Sequence, residues 1–335
     1  MTVERAVFID NPGTNVFVNQ GIEASLLESL AENETALCLW SNDSAVVIGR
    51  NQNPYAECRV DLLESEGGLL ARRLSGGGAV YHDGGNLNFT FASFKNNFDK
   101  ARNLEIVLKA VRSLGIDAEI GGRNDLLCGG AKFSGNAYYS RGEMSLHHGT
   151  LLLSTSADKV ACYLTPDSRK FVGKSVRSVS SRVCALGDAN PAAADRGKVA
   201  KALENAFREA YPQAEFREET PFGLGAEKIL KWTSFFNADE WRYGKKTEFD
   251  LRFSAEVLGR FAEVFAKVEN GVLSEVRIDT DCMDADAVCA VEEKMKGARL
   301  VSRDRAELAE YVAEDSVTKE ARALIERAAK EWYAV

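Results

Sequence analysis

The chain is poor in histidine, with three in 335 residues, and it lacks any run of basic side chains. Its formal net charge is −8, from 42 Lys and Arg against 50 Asp and Glu. A protein that holds nucleic acid by neutralising phosphates needs the opposite balance, so no nucleic-acid partner is expected. Nothing approaches the roughly 18 consecutive apolar residues of a membrane helix. The opening MTVERAVFIDNPG has only a four-residue apolar stretch, too short for the core of a signal peptide. The expectation is a soluble, cytoplasmic chain with no membrane partner. The seven cysteines (38, 58, 128, 162, 184, 282 and 289) are scattered, with no C-x-x-C pair. That pattern fits reduced thiols in a reducing compartment and, with so few histidines, makes a structural zinc site improbable. There is no G-x-S-x-G elbow and no H-E-x-x-H helix, which removes the commonest hydrolase templates.

What the chain does have is periodic structure. NLNFTFASF alternates, with Leu87, Phe89 and Phe91 on one face and Asn88 and Thr90 on the other, as in a half-buried strand. ALCLWS and AVVIGR are further strands separated by NDS, and SLHHGTLLLST runs back from a turn at SRGE. Apolar residues at 3/4 spacing predict helices over Asp99–Leu114, closed by Gly115, and over Lys198–Tyr211. This is an α+β chain with a large mixed sheet and helices packed on it. After the aromatic cluster KWTSFFNADEW, the polar YGKKTE marks a joint. Two alternating runs then flank Asn270-Gly271, a strong hairpin signal, and three helical segments follow, the last with Leu324, Ala328 and Trp332 in one stripe. The division expected is a large domain over 1–246 and a small α+β domain over 248–335.

Glycine is concentrated in RRLSGGGAVYHDGGN, Arg72–Asn86, where five glycines fall within ten positions. Glycine gives up side-chain packing and loses more backbone freedom on folding than any other residue, so the cluster needs a physical reason. A glycine-rich turn lets successive N–H groups form a nest for phosphate oxygens. Arg72 and Arg73 just before it offer guanidinium forks suited to phosphate or carboxylate. The alternative is an ordinary turn between two strands. A P-loop in SRKFVGKS is rejected, because its required first glycine is Ser168, and the dinucleotide spacing does not fit SGGGAVYHDGG. In GRNDLLCGGAKFSGNA, Lys132 lies among small residues that allow close approach to a ligand; its alternative is a solvated surface lysine. In HHGTLLL, His147 and His148 must point to opposite faces, so at most one lines a given cavity.

Taken together, RRLSGGGAVYHDGGN, GRNDLLCGGAKFSGNA, HHGTLLL and SVSSRV follow the order and approximate spacing of the lipoate–protein ligase A family, and GRNQNPYAEC resembles its N-terminal signature. The resemblance extends over nearly the whole chain. It implies a large domain resembling the catalytic domains of biotin protein ligases and class II aminoacyl-tRNA synthetases. It also implies activation of lipoate by ATP and Mg2+ to lipoyl-AMP, with pyrophosphate released. The lipoyl group would then pass to a lysine of a lipoyl domain or of glycine-cleavage H protein. On that footing Lys132 matches the family's essential lysine, which contacts the α-phosphate and the activated carbonyl. Arg73, Gly78, Ala79, Val80, Tyr81, Asn124, Ser178 and Arg182 match ATP and adenylate contacts. Gly76, Gly77, His82, His148 and Thr150, again with Lys132, match the lipoate site; the metal ligands stay unassigned. The chain departs from its relatives at Ser175, where glycine is frequent, at Tyr81, usually phenylalanine, and at Gly129-Gly130. The resemblance further implies that the small domain moves away once the adenylate has formed.

Two other readings stay open. One is an octanoyl or lipoyl transferase on the same fold, independent of ATP, with Cys128 or Cys162 as nucleophile, although buried structural cysteines are the blander explanation. The other is a non-catalytic protein that binds lipoyl carriers.

Overall fold

The computed structural model describes residues 3–121, 125–155, 157–165, 183–244, 248–302, 305–307 and 316–332. The chain forms two compact units. The first contains residues 1–48, 57–73 and 79–242, and the second contains residues 49–56, 74–78 and 243–335.

The first unit is built on an eight-stranded mixed sheet. In chain order its strands are β1 (Arg5–Asp10), β2 (Glu34–Trp40), β6 (Asn86–Phe94), β7 (Ala118–Gly121), β8 (Asp125–Cys128), β9 (Ala131–Arg141), β10 (Met144–Leu152) and β11 (Glu215–Glu219). Across the sheet the order is β11-β1-β2-β6-β10-β9-β8-β7. β1 runs parallel to both β2 and β11, and the remaining pairs are antiparallel. A second, three-stranded sheet holds β3 (Ala45–Ile48), β4 (Leu69–Arg72) and β5 (Val80–His82), in the order β4-β3-β5. The longer helices are α1 (Val16–Leu26), α4 (Lys100–Ser113), α7 (Arg196–Ala210) and α8 (Ala226–Asn237). Shorter ones are α2 (Pro54–Glu57), α3 (Val60–Ser65), α5 (Ala157–Tyr163), α6 (Leu186–Ala189) and α9 (Asp239–Arg242).

The two predicted helices form where their apolar spacing places them. Asp99 caps α4 by accepting from the Arg102 N–H, and Gly115, at φ 78°, takes the left-handed conformation that ends it. α4 and α7 pack together on one face of the large sheet, where Leu87, Phe89 and Phe91 of β6 meet Val107, Val111, Leu203 and Phe207. The other face departs from the half-buried strand expected at β6. Asn88 and Thr90 are 1% and 0% exposed, because α1 covers that face and α8 covers α1. The approach of α1 to α8 is close enough that a Cβ on Gly21 would lie 2.6 Å from Thr233 Oγ1. The sheet therefore carries an apolar core on one side and a buried polar layer on the other.

In the second unit, β12 (Leu251–Val257), β13 (Arg260–Glu269), β14 (Val272–Thr280), β15 (Arg299–Ser302) and β16 (Arg305–Glu307) form one antiparallel sheet in chain order. Asn270 and Gly271, at φ 54° and 75°, make the predicted hairpin turn with both central residues left-handed. The expected run of three helices is corrected. Among the described residues α10 (Ala285–Met295) and α11 (Ser316–Trp332) are separated by the hairpin pair β15–β16. A segment this short and mixed in pattern does not reveal its period in sequence. Leu324 and Ala328 of the predicted stripe do face the core.

Phe207 is fully buried and touches the rings of Phe91, Phe216 and Tyr211 at centroid distances of 5.4–6.3 Å. Phe207→Ala is expected to cost about 3–5 kcal/mol of stability, read as a lower urea midpoint with an unchanged slope.

Candidate functional site

The polar face of the large sheet gathers side chains from strands far apart in sequence. The pairing registers place Trp40 opposite Asn88, Cys38 and His148 each opposite Thr90, and Thr150 opposite Asn88. Glu23, reaching down from α1, sits among them and is buried. Its Oε1 is 2.6 Å from His148 Nδ1 and accepts from Thr90 Oγ1 at 2.8 Å, while Trp40 Nε1 donates to Thr90 Oγ1 at 3.1 Å. His147 points the other way, as alternation requires. It stacks on Phe91 and Tyr138, its Nε2 is 2.9 Å from Asn136 Oδ1, and burial holds its pKa down to about 3. Only His148 belongs to the polar face.

His82, on β5, is held by Asn42, whose amide nitrogen is 2.9 Å from His82 Nδ1; Asn42 is itself fixed by Asn19 and, through it, Asn11. An amide donor at Nδ1 leaves the ring proton on Nε2, and Nε2 is buried with no partner among the described residues. Burial, reinforced by nearby Arg73 and His148, lowers the His82 pKa to about 3, so the ring is neutral at pH 7. Arg73 is also buried and donates to the Val47 carbonyl at 3.1 Å. Burial lowers its pKa to about 10, with Glu23 opposing the shift, so its charge persists at neutral pH.

Arg72 does something different from the ligand fork its sequence neighbourhood implies. Its Nε donates to the Trp241 carbonyl at 2.7 Å and an NH2 to that of Arg242 at 3.1 Å, while Trp241 Nε1 returns a bond to Arg72 O at 2.8 Å. These bonds clasp α9, the last helix of the first unit, to β4. Tyr81 gives its hydroxyl a partner in Ser44 Oγ at 3.2 Å and stacks its ring on Tyr163.

Lys132 lies on β9 beyond the Gly129-Gly130 turn, whose glycines have φ 58° and 77° and connect β8 to β9. Its ammonium pairs with Asp125 at 2.7 Å, both side chains being about two-fifths exposed at 40% and 42%. It stretches over Gly135, where a Cβ would stand 3.1 Å from Nζ, and Gly135 N–H donates to Thr150 Oγ1 at 3.2 Å. Lys132, Asp125, Gly135 and Thr150 therefore form one cluster. An ion pair this exposed is worth at most about 1 kcal/mol, so an incoming anion displaces it at little cost.

The glycine loop is the crossover from β4 to β5, and its centre, Leu74–Gly78, folds with the second unit. Gly76 and Gly77 are buried, and Gly77 has φ 92°. A Cβ on Gly76 would lie 2.1 Å from the Cys282 carbonyl oxygen. Gly78 is exposed, and a Cβ there would meet no described residue within 4 Å. Ala79 and Val80 are partly exposed. Asn124, Ser178 and Arg182 lie outside the described residues, as does Ser175.

Glu23, Trp40, Asn42, Thr90 and Asp125 join the site without having been singled out as site residues in the sequence. Glu23 left one signal, an acid inside the otherwise uncharged helix VFVNQGIEASL. Asn42 looked like a turn residue in SNDS. Among the described residues no three His, Cys, Asp or Glu side chains gather as a metal site, and no helix is long and apolar enough to cross a membrane.

Unfolded histidines take up a proton near pH 6.5, whereas His82 and His147 do so only near 3 in the fold. Between those values the unfolded chain binds more protons, so stability falls as pH drops below about 6.5. The slope is expected to be at most about 1.4 kcal/mol per pH unit per histidine. His147→Phe should remove one histidine's share of that slope in urea titrations from pH 7 to 4, whatever it does to absolute stability.

Residues 15–208 match the model of the lipoyl protein ligase A/B catalytic domain. A lipoate-protein ligase A of Psychrobacter cryohalolentis is 35% identical over 298 residues, 87% of this chain and 88% of that protein. One from Bdellovibrio bacteriovorus is 35% identical over 289 residues, 84% and 85% of the two chains. The crystal structure of P. falciparum LipL1 in complex with lipoate superposes with a TM-score of 0.79 at 26% identity, over 97% of this chain and 99% of that one. A lipoate-protein ligase A bound with ATP gives a TM-score of 0.60 at 27% identity, over 73% of this chain and 99% of that one. A bipartite lipoate protein ligase of Thermoplasma acidophilum, from a structural analysis of that ligase and its E2 lipoyl domain, gives a TM-score of 0.61 at 27% identity, over 75% of this chain and 100% of that one. A polar sheet face holding His148 and Thr150, a half-exposed lysine beside it and identity over most of both relatives agree, and the chain belongs to the lipoate-protein ligase A family.

Proposed function

We propose that the chain is an ATP-dependent lipoate–protein ligase that makes lipoyl-AMP and transfers the lipoyl group to an acceptor lysine. The observation that carries this reading is the setting of Lys132. Its point charge lies over a glycine, beside Thr150, and is held only by a half-exposed carboxylate among the described residues. In the first step a lipoate carboxylate oxygen attacks the α-phosphorus of ATP, a P–O bond forms, and the bond to the β-phosphate breaks to release pyrophosphate. Negative charges converge there, and Lys132 supplies preorganised positive charge where it develops. In the second step the acceptor amine attacks the activated carbonyl, AMP leaves with the bonding electrons, and the amine gives up a proton. No enzyme-bound acyl intermediate is required.

Other residues support the same division of labour. Arg73 keeps its charge and His82 is a neutral donor through Nε2, both suited to polar oxygens of the ligand. Among the described residues nothing stands within 4 Å of a Cβ at Gly78, which leaves room there for the close approach of a phosphate. Mg2+ carried in on a triphosphate asks for one or two carboxylates, and Asp125 beside Lys132 is suited to be one of them; bound there, it would neutralise phosphate charge. Lipoyl domains are the proposed acceptors, with glycine-cleavage H protein as a second. The seven free cysteines fit a cytoplasmic setting.

The cysteine-nucleophile alternative has less support, because the ligase reading accounts for the Lys132 cluster without calling on a thiol. A non-catalytic carrier binder leaves the Lys132 cluster without a purpose.

Lys132→Ala is expected to lower pyrophosphate release by about 10²–10³-fold or more while the melting temperature holds, since a half-exposed side chain leaves no core cavity. Lys132→Arg should fail too, because the planar fork is wider than an ammonium over Gly135. Near-normal release by either folded variant sinks the assignment.

Cys128→Ser and Cys162→Ser are expected to leave lipoylation of a purified lipoyl domain within about twofold of wild type, an effect of the size of ordinary surface changes. Loss of transfer, or an acyl-thioester trapped on the chain, would favour the amidotransferase instead.

A further inference from the structure

The glycine loop is shaped by a segment of the C-terminal half of the chain. β3 and β4 are parallel neighbours, and the segments that leave their C-terminal ends, Gly49–Ala56 and Leu74–Gly78, both fold with the second unit. They are tied to each other, with Arg50 N–H donating to Ser75 O at 2.9 Å. They are also tied to the end of β14 and the residues that follow it. Thr280 N–H donates to Asn51 O at 2.8 Å, and Gly77 N–H donates to Cys282 O at 3.1 Å. Beyond these, Asn53 Nδ2 reaches Asp279 at 3.3 Å and Arg50 pairs with Asp286 at 2.9 Å.

Three features show that this contact is fitted closely. A Cβ on Gly76 would stand 2.1 Å from Cys282 O and 2.6 Å from Met283 O, so only glycine admits the segment. A Cβ on Gly49 would stand 2.1 Å from Gly77 O. Gly77 takes φ 92°, a conformation with no local reason to persist over others open to glycine, and its N–H is aimed at Cys282 O. The fastening point behind the contact is Thr280, which is 6% exposed. Its hydroxyl donates to Phe261 O at 2.9 Å and accepts from Cys282 N–H at 3.3 Å, fixing the turn that presents Cys282 O.

We propose that Thr280–Met283 is a strap that sets the conformation of the glycine loop, and that Thr280 is a positioning residue for lipoate and ATP binding. This rests on the ligase reading for its effect on activity. Three adjacent glycines sample many backbone conformations, and only the fraction that is correctly shaped binds ligand. Loosening the strap lowers that fraction, and the apparent affinity falls in proportion while the saturated rate does not.

Thr280→Val keeps the shape and removes the hydroxyl; Thr280→Ser keeps the hydroxyl. In the full-length valine variant, KM for lipoate in pyrophosphate release is expected to rise about three- to tenfold, the range for one lost hydrogen bond, with kcat within about twofold. Amide exchange over residues 74–79 should quicken, while transfer from saturating supplied lipoyl-AMP stays near wild type. The serine variant should restore both KM and slow exchange. Gly76→Ala provides a second route, since the added methyl must push the strap away, and it should quicken exchange over residues 280–284. The proposal is overturned if Thr280→Val leaves loop exchange unchanged, if its KM is unchanged or lower, or if Thr280→Ser is as impaired as Thr280→Val. A wild-type chain without ATP-dependent pyrophosphate release overturns the ligase reading instead, and the exchange measurements still decide whether the strap shapes the loop.

Discussion

Much of the first unit is organised around a carboxylate buried where carboxylates are expensive to place. Glu23 is 3% exposed, and a charge taken out of water is tolerated only when it is paired and hydrogen-bonded. The Thr90 hydroxyl and His148 ring supply those partners, and Trp40 fixes the hydroxyl in turn. Satisfying Glu23 thus joins α1 to strands β2, β6 and β10 at once. It also orients His148, whose neighbour two positions on, Thr150, touches the Lys132 cluster through Gly135. A buried network of this kind is rigid because each member is another's partner. That rigidity is what a site needs when chemistry proceeds by placing charge beside a substrate without an enzyme-bound intermediate.

The glycine-rich stretch answers to more than one demand. Gly76 is required by the carbonyls of Cys282 and Met283, and Gly77 by its left-handed φ. At Gly78 and Gly84 a Cβ would meet no described residue within 4 Å. The two arginines that introduce the loop have separate tasks as well. Arg72 clasps the Trp241–Arg242 backbone, while Arg73 is buried near Glu23 and keeps its charge.

Several parts of this arrangement were legible in sequence because they depend on local rules. The helices at α4 and α7 follow from apolar spacing, with Asp99 and Gly115 ending α4. The β13–β14 turn follows from Asn270-Gly271, and the opposite facings of His147 and His148 follow from strand alternation. The cluster around Lys132 was marked by its small neighbours, since side-chain size is a property of composition. The pair β15–β16 was missed because so short a segment carries no clear period.

The sequence by itself determined most of the elements, the position of the glycine-rich loop, the lysine and the family they resemble, because each is written in residues close together along the chain. Only the tertiary structure decided that the polar side of β6 is buried, that Glu23 and Asn42 hold His148 and His82, and that Arg72 holds the Trp241–Arg242 backbone. It alone decided that Gly76 and Gly77 answer to residues some 200 positions away. The physical reason is that burial and hydrogen-bond partnership belong to pairs of residues brought together by strand order and helix packing, and a one-dimensional pattern records neither.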